Sequence, residues 1–202
     1  MQPILRFLGQ QPYDEVFKAM QAFALNRNPE ATDELWVVEH APVFTLGLNG
    51  KQEHVLDPGD IPVIRTDRGG QVTYHGPGQL VLYALLDTKH HSMTARQMVT
   101  LLEQAIIHTL SQNGIGAKAK PEAPGVYIDD KKIGSIGLRI KNNCSYHGLS
   151  LNNRMDLSPF TRINPCGYAG LTVTQLADFG VDITTQELAI PVAHFISEAL
   201  TS

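Results

Sequence analysis

Residues 125–151 read GVYIDDKKIGSIGLRIKNNCSYHGLSL, and this stretch decides the fold class. Three apolar-rich runs, Gly125 to Ile128, Lys132 to Ile140 and Cys144 to Leu151, are separated by Asp129-Asp130 and by Lys141-Asn142-Asn143. Asp and Asn hydrogen-bond their own backbone and tolerate left-handed conformations, so both separators are turn chemistry. Strands joined this tightly pair antiparallel, because a parallel pair needs a long crossover between its strands. The spacing therefore predicts three successive antiparallel strands. Such a unit in a chain that also carries helices indicates an α+β domain, not a βαβ repeat.

Working upstream, Val16, Phe17, Met20, Phe23 and Ala24 share one face of a helix over residues 13–26. LWVVEH (35–40) and IPVIRT (61–66) read as short strands bounded by Pro and Gly. The denser run from Gln79 to Leu86, QLVLYALL, predicts a strand buried on both faces. A helix follows from about Ala95 to Gln112, with Thr94 and Gln97 in a capping-box pattern and Asn113-Gly114 as the stop. Downstream, Leu188, Val192, Phe195, Ile196 and Ala199 give helical spacing over 185–200, with Pro191 either kinking that helix or marking its start. No repeat, low-complexity stretch or linker interrupts the chain, so residues 1–202 are expected to form one domain.

Hydrophobic residues make up 43% and charged residues 18% of the 202, an ordinary globular balance. The net charge of −4 argues against nucleic-acid binding, which normally requires a basic excess. The opening MQPILRFLGQQPYDEVF has no apolar core of a secretory signal, and no run is long enough to cross a bilayer. A soluble, cytoplasmic, monomeric protein without membrane association is expected. In that compartment Cys144 and Cys166 are expected to be reduced, not bridged.

Three segments carry chemistry. Arg68-Gly69-Gly70-Gln71-Val72-Thr73-Tyr74-His75-Gly76-Pro77-Gly78-Gln79 packs four glycines, an arginine and a histidine just ahead of the buried strand. Glycine lets backbone turn back or approach a ligand closely, so the run is either a tight hairpin or a ligand-binding one. It lacks the Gly-Lys-Ser/Thr ending of a P-loop and the spacing of a dinucleotide site. Asn164-Pro165-Cys166-Gly167 places a cysteine on a loop, where it is accessible, whereas Cys144 falls inside a strand. In Lys132-Ile133-Gly134-Ser135-Ile136-Gly137, strict alternation groups Lys132 with Gly134, Ile136 and Leu138. Glycines inside a strand weaken it unless something must approach its surface. Tyr-His-Gly occurs twice, at 74–76 and 146–148, by coincidence or because two histidines enter one cleft. From the residues alone a Cys–His hydrolase is open, with His75 or His147 as base to Cys166. No metal-ligand spacing is present, so neither a metal nor a cofactor is expected.

Taken together these segments resemble the octanoyltransferases of lipoate biosynthesis. The motifs at 68–79, Gly125-Val126-Tyr127, Lys132 to Gly137, Tyr146-His147-Gly148-Leu149 and Arg162-Ile163-Asn164-Pro165-Cys166-Gly167 stand in that family's order. The resemblance implies a fold shared with lipoate–protein and biotin–protein ligases, a mixed and largely antiparallel β-sheet flanked by helices. It implies that Cys166 is the acyl-thioester nucleophile and Lys132 its activating partner. The acyl pocket is then lined by Arg68, Gly69, Gly70, Gln71, Val72, Thr73, Tyr74 and His75, by Ser135, Ile136 and Gly137, and by Gly148, Leu149 and Ser150. Gly134, Gly137 and Gly148 would open a narrow tunnel for eight carbons. The implied donor is octanoyl-acyl carrier protein. The implied acceptors are lipoyl domains of 2-oxoacid dehydrogenase E2 subunits and the glycine cleavage H protein. An ATP-dependent lipoate or biotin ligase of the same fold and a Cys–His thioesterase are the alternatives.

Overall fold

The computed structural model describes residues 2–28 and 30–201. In chain order these form β1 (Ile4–Gln11), α1 (Tyr13–Asn26), β2 (Glu34–His40), β3 (Val43–Leu46), β4 (Val63–Arg65), β5 (Val72–His75), β6 (Gln79–Leu85), α2 (Ala95–Gln112), β7 (Lys118–Ala119), β8 (Val126–Ile128), β9 (Lys131–Lys141), β10 (Cys144–Asn152) and α3 (Thr185–Thr201). Short helical turns link β10 to α3, one of them at Pro165–Gly167. The expected β8–β10 unit forms. Asp129, Asn142 and Asn143 adopt positive φ at its two turns, the conformation that Asp and Asn tolerate.

The large sheet has the order β1-β2-β6-β10-β9-β8-β7, antiparallel throughout except for the parallel edge pair β1–β2. A second sheet, β4-β3-β5, stands apart from it. The α1 and α2 bounds match the sequence reading, and the Thr94–Gln97 capping box is present. α3 runs unbroken from Thr185 through Pro191. The edge strand β1 and the short strands β3 and β5 were not expected. β1 alternates weakly and carries a register shift near Gly9, while β5 lies inside the glycine-rich run.

Period-two alternation gives the large sheet two different faces. Leu80, Leu82 and Ala84 of β6, Leu149 and Leu151 of β10, and Leu35 and Val37 of β2 face α2 and α3, meeting Met98, Leu102, Ile106, Leu188, Val192 and Ile196. The opposite face carries Val38, Val81, Tyr83 and Tyr146 and is covered in part by Val16, Met20 and Ala24 of α1. Beside α1, the small sheet has its own core of Phe44, Leu46, Val72, Tyr74, Phe160 and Ile163.

Two departures from alternation aim side chains at this second face. Val126 pairs Gly134 whereas Tyr127 pairs Lys132, so Ile133 is an extra residue in β9, a β-bulge. Ile133 joins the α2-side core. Lys132 is thereby turned to the opposite face, with Ser135 and Gly137, which corrects the strict alternation that grouped it with Gly134. The second departure is His147, paired with Leu138. Alternation would send its ring toward α2. Its φ of 61° turns the ring instead against Phe17 of α1 and Tyr83.

Candidate active site

The cleft lies between the two sheets. Arg68, Gly70, Gln71, Val72, Thr73 and His75 line it from the small-sheet side. Val81, Tyr83, Ser135, Ile136, Gly137, His147, Gly148, Leu149 and Ser150 line it from the large sheet, with Tyr13 and Cys166 completing the wall. Gly137 leaves room for the Arg68 side chain that crosses it, since a Cβ there would stand 3.0 Å from Arg68 Cδ.

Cys166 sits in the turn Pro165–Gly167 with φ 57° and ψ 15°, a left-handed conformation unusual for a residue with a side chain. Its Sγ lies 2.9 Å from Lys132 Nζ, which also donates to Pro124 O at 2.8 Å. Lys132 is only 3% exposed, and Nζ stands 5.3 Å from the Tyr127 ring centroid. Among the described residues no carboxylate is within ion-pair distance of it. A buried ammonium without a counter-charge is costly, and the cysteine sulfur is the group in reach that can supply one as a thiolate. Backbone pairing locks the dyad. Lys132 N donates to Thr172 O at 2.9 Å and Thr174 N to Lys132 O at 3.0 Å, beyond the point where β10 leaves β9. Buried Glu103 of α2 accepts the Gly125 N–H at 2.9 Å and so holds the loop that presents Pro124 O.

The rest of the cleft is rich in buried polar groups. Arg68 is buried, and among the described residues no carboxylate pairs with it. Its guanidinium donates to Thr45 O, Thr45 Oγ1, Gly69 O and Gln71 O, pinning the glycine-rich run. Burial lowers its pKa from the ordinary guanidinium value. Burial, with help from neighbouring His40, pushes His75 down to about 3, and burial pushes His40 to about 4, so both rings are neutral. His75 Nδ1 donates to Gln79 Oε1 at 2.7 Å. His40 Nδ1 donates to Gln11 O, leaving Nε2 to accept the Tyr83 hydroxyl at 2.7 Å. His147 Nε2 donates to Asp67 Oδ1 at 2.9 Å, and burial lowers its pKa against the raising effect of that carboxylate. Burial alone would raise Asp67, but hydrogen bonds from His147, Tyr146 and Gln21 outweigh it and hold the carboxyl well below its usual range.

The structure brings Cys166 and Lys132 together and places twelve of the fourteen expected pocket residues on the cleft wall. Gly69 and Tyr74 are the exceptions. Gly69 pairs with Leu138 O, and Tyr74 alternates away from Thr73 and His75 to pack on Phe44 and Phe160. Gly134 does not open the cleft either, because a Cβ there would meet Ile106 of α2 at 2.9 Å. Both Tyr-His-Gly histidines reach the cleft, but neither hydrogen-bonds Cys166, so neither stands as its base. Tyr13, Val81 and Tyr83 line the cleft without having been expected there, whereas His147 had been offered for a shared cleft. The sequence held one clue, the repeated Tyr-His-Gly, and it concerned only His147.

A mixed sheet with α2 and α3 on one face and, on the other, α1 beside a cleft that carries a cysteine–lysine pair defines a class, and a family model agrees. The lipoyl protein ligase A/B catalytic domain matches residues 12–196. Among curated relatives, an octanoyltransferase from Shewanella oneidensis is 56% identical over 196 residues, covering 97% of this chain and 90% of its own. One from Marinobacter nauticus is 55% identical over 197 residues, covering 98% and 93%. Solved structures share the fold at low identity. A putative lipoate protein ligase from T. acidophilum has a TM-score of 0.80 at 18% identity, over all of this chain and 86% of that one. Biotin protein ligase from Aquifex aeolicus in complex with biotin and ATP has a TM-score of 0.62 at 17% identity, over 98% and 70%. The chain belongs to the octanoyltransferase family and is an acyltransferase.

Proposed function

We propose that this chain moves an octanoyl group from octanoyl-acyl carrier protein to a specific lysine of lipoyl domains, through a thioester on Cys166. The acceptors are lipoyl domains of 2-oxoacid dehydrogenase E2 subunits and the glycine cleavage H protein, and the reaction takes place in the cytoplasm. Among the described residues no helix is long and apolar enough to cross a membrane. The observation that carries the reading is the 2.9 Å separation between Lys132 Nζ and Cys166 Sγ at a cleft wall.

In the first half-reaction the Cys166 thiolate forms a bond to the acyl carbon. The carbon–sulfur bond to the carrier's phosphopantetheine breaks, and its thiol leaves with the proton that Lys132 holds from the Cys166 thiol. One thioester replaces another, so no ATP is consumed. In the second, the acceptor amine bonds to the same carbon, the Cys166 carbon–sulfur bond breaks, and the amine proton passes to the departing sulfur by way of Lys132. The backbone N–H groups of Gly70, Gln71 and Cys166 make no hydrogen bond among the described residues, although Gly70, Gln71 and Cys166 line the cleft. They are free to stabilise the oxyanion of each tetrahedral intermediate. Val81 gives an acyl chain apolar contact and helps exclude the water that would hydrolyse the intermediate.

Intact-protein mass spectrometry after mixing with octanoyl-acyl carrier protein, without ATP or acceptor, tests the reading. An octanoyl adduct on the wild type, absent in Cys166→Ala and slowed in Lys132→Ala, is expected. No adduct from any thioester donor would sink the proposal and favour an ATP-dependent ligase.

A further inference from the structure

Among the described residues, two polar atoms in the cleft wall are buried and lack a hydrogen-bond partner: Tyr13 Oη and His147 Nδ1. Tyr13 is 4% and His147 1% exposed. Thr66 lies near Tyr13 Oη without completing a bond, and burial pushes the phenol up to about 12, so it stays a hydroxyl. The His147 ring commits its Nε2 proton to Asp67, which leaves Nδ1 an acceptor. One orphan is thus a donor and the other an acceptor. Native interiors rarely leave such pairs empty-handed, and a water needs two to four polar partners of this sort.

These atoms stand away from the sulfur. The neighbours of Cys166 are Lys132 and the Gln71–His54 side of Gly167. Those of Tyr13 are Phe17, His40 and His75, and those of His147 are Phe17, Tyr83 and Asp67. Arg68 lies between the two sets, close enough for its charge to act on both Cys166 and Tyr13. His147 pairs with Leu138, six positions along β9 from Lys132, and the pairs Ser135–Ser150 and Gly137–Gly148 of the cleft wall lie between them. An eight-carbon chain built from bonds of about 1.5 Å extends roughly 10 Å. A chain held on Cys166, at the Lys132 end, has Ser135, Ser150, Gly137 and Gly148 along its way to Tyr13 and His147.

We propose that Tyr13 and His147 form a polar floor that holds ordered water beyond the end of the acyl chain and sets its maximum length. The inference rests on the octanoyl-transfer reading above. A longer chain displaces the water and leaves a hydroxyl and an imidazole nitrogen facing methylene groups, a penalty that an eight-carbon chain avoids.

The test is the rate of acyl-enzyme formation, read by intact mass, with hexanoyl-, octanoyl-, decanoyl- and dodecanoyl-acyl carrier protein. In the wild type the rate falls beyond octanoyl. Tyr13→Phe removes only the oxygen, and the decanoyl-to-octanoyl ratio is expected to rise about tenfold, or about 1.4 kcal/mol. His147→Asn retains a residue type that tolerates positive φ and raises the ratio in the same direction, with a thermal melt reporting its folding. A Tyr13→Phe ratio equal to wild type, or equal slowing of all four chains, overturns the floor while a normal wild-type octanoyl adduct leaves the transfer reading standing. Failure of the wild type to take any acyl group removes both.

Discussion

The two faces of the large sheet are made by the same strands and obey opposite rules. On the α2–α3 face, β6 and β10 present Leu80, Leu82, Leu149 and Leu151 to an all-apolar core. On the other, the alternate residues Gln79, Val81, Tyr83, Gly148, Ser150 and Asn152 meet buried histidines, an arginine and a lysine. One face gains stability from close packing. The other buries polar groups that need individual partners, and it leaves several of them facing the cleft. A single strand can therefore supply scaffold and site at once, with parity separating the two everywhere but at Ile133 and His147.

That division is open to attack at several points, beginning with the largest effect. Lys132→Met keeps volume and removes the ammonium. Acyl-enzyme formation is expected to slow by about 10²–10⁴-fold, while the denaturant midpoint holds or rises, since a buried charge is lost. A coincident collapse of stability would show that the site face also carries the scaffold. The converse change, Leu82→Ala, is expected to cost about 2–5 kcal/mol of unfolding free energy, measured in urea, with the adduct rate per folded molecule preserved.

Acid sensitivity separates the faces next. His75 and His40 are held down to about 3 and about 4, whereas the unfolded chain protonates each near 6.5. Between about pH 6.5 and pH 4 the unfolded state binds more protons, so stability falls as pH falls, by up to about 1.4 kcal/mol per pH unit for each ring. Asp67, whose carboxyl is held low, acts in the same direction at lower pH. Urea midpoints at pH 7, 6 and 5 should show this slope, and His75→Gln should flatten it. An unchanged slope would place the acid lability elsewhere. The smallest effect belongs to Thr94→Ala, which removes the α2 cap on the scaffold side and is expected to cost about 1 kcal/mol without altering chain-length preference.

Much of the scaffold was legible because its signals are local. The periodicity of 13–26, the Thr94 capping box and the Asp and Asn turns of β8–β10 each act within a few residues. The fold class followed from them. The Cys166 loop and Lys132 were legible only through the combined motifs, since a lysine at a strand edge is ordinarily a solvated charge. What stayed hidden depends on distant contacts. The bulge at Ile133 has no composition cue, and without it Lys132 faces the wrong way. Tyr13 reads as an ordinary helix-start aromatic, and only the docking of α1 over β6 carries it to the cleft. β3 and β5 are four-residue strands whose pairing is fixed by the fold around them.

The strand order also has a consequence for how the molecule is made. β6 and β10 are neighbours in the sheet, yet Leu80 pairs with Leu151, with α2 and three strands between them in the chain. As the polypeptide leaves the ribosome, β6 waits with an open, strongly apolar edge while those residues are synthesised, the interval in which edge-to-edge association is most hazardous. Closing so long a loop is a slow step in a topology of high contact order. The segment that bears Cys166 and the 172–174 partner of Lys132 emerges later still. The ammonium and the sulfur therefore meet only after the sheet has closed, and the nascent chain carries no paired nucleophile until its architecture is complete.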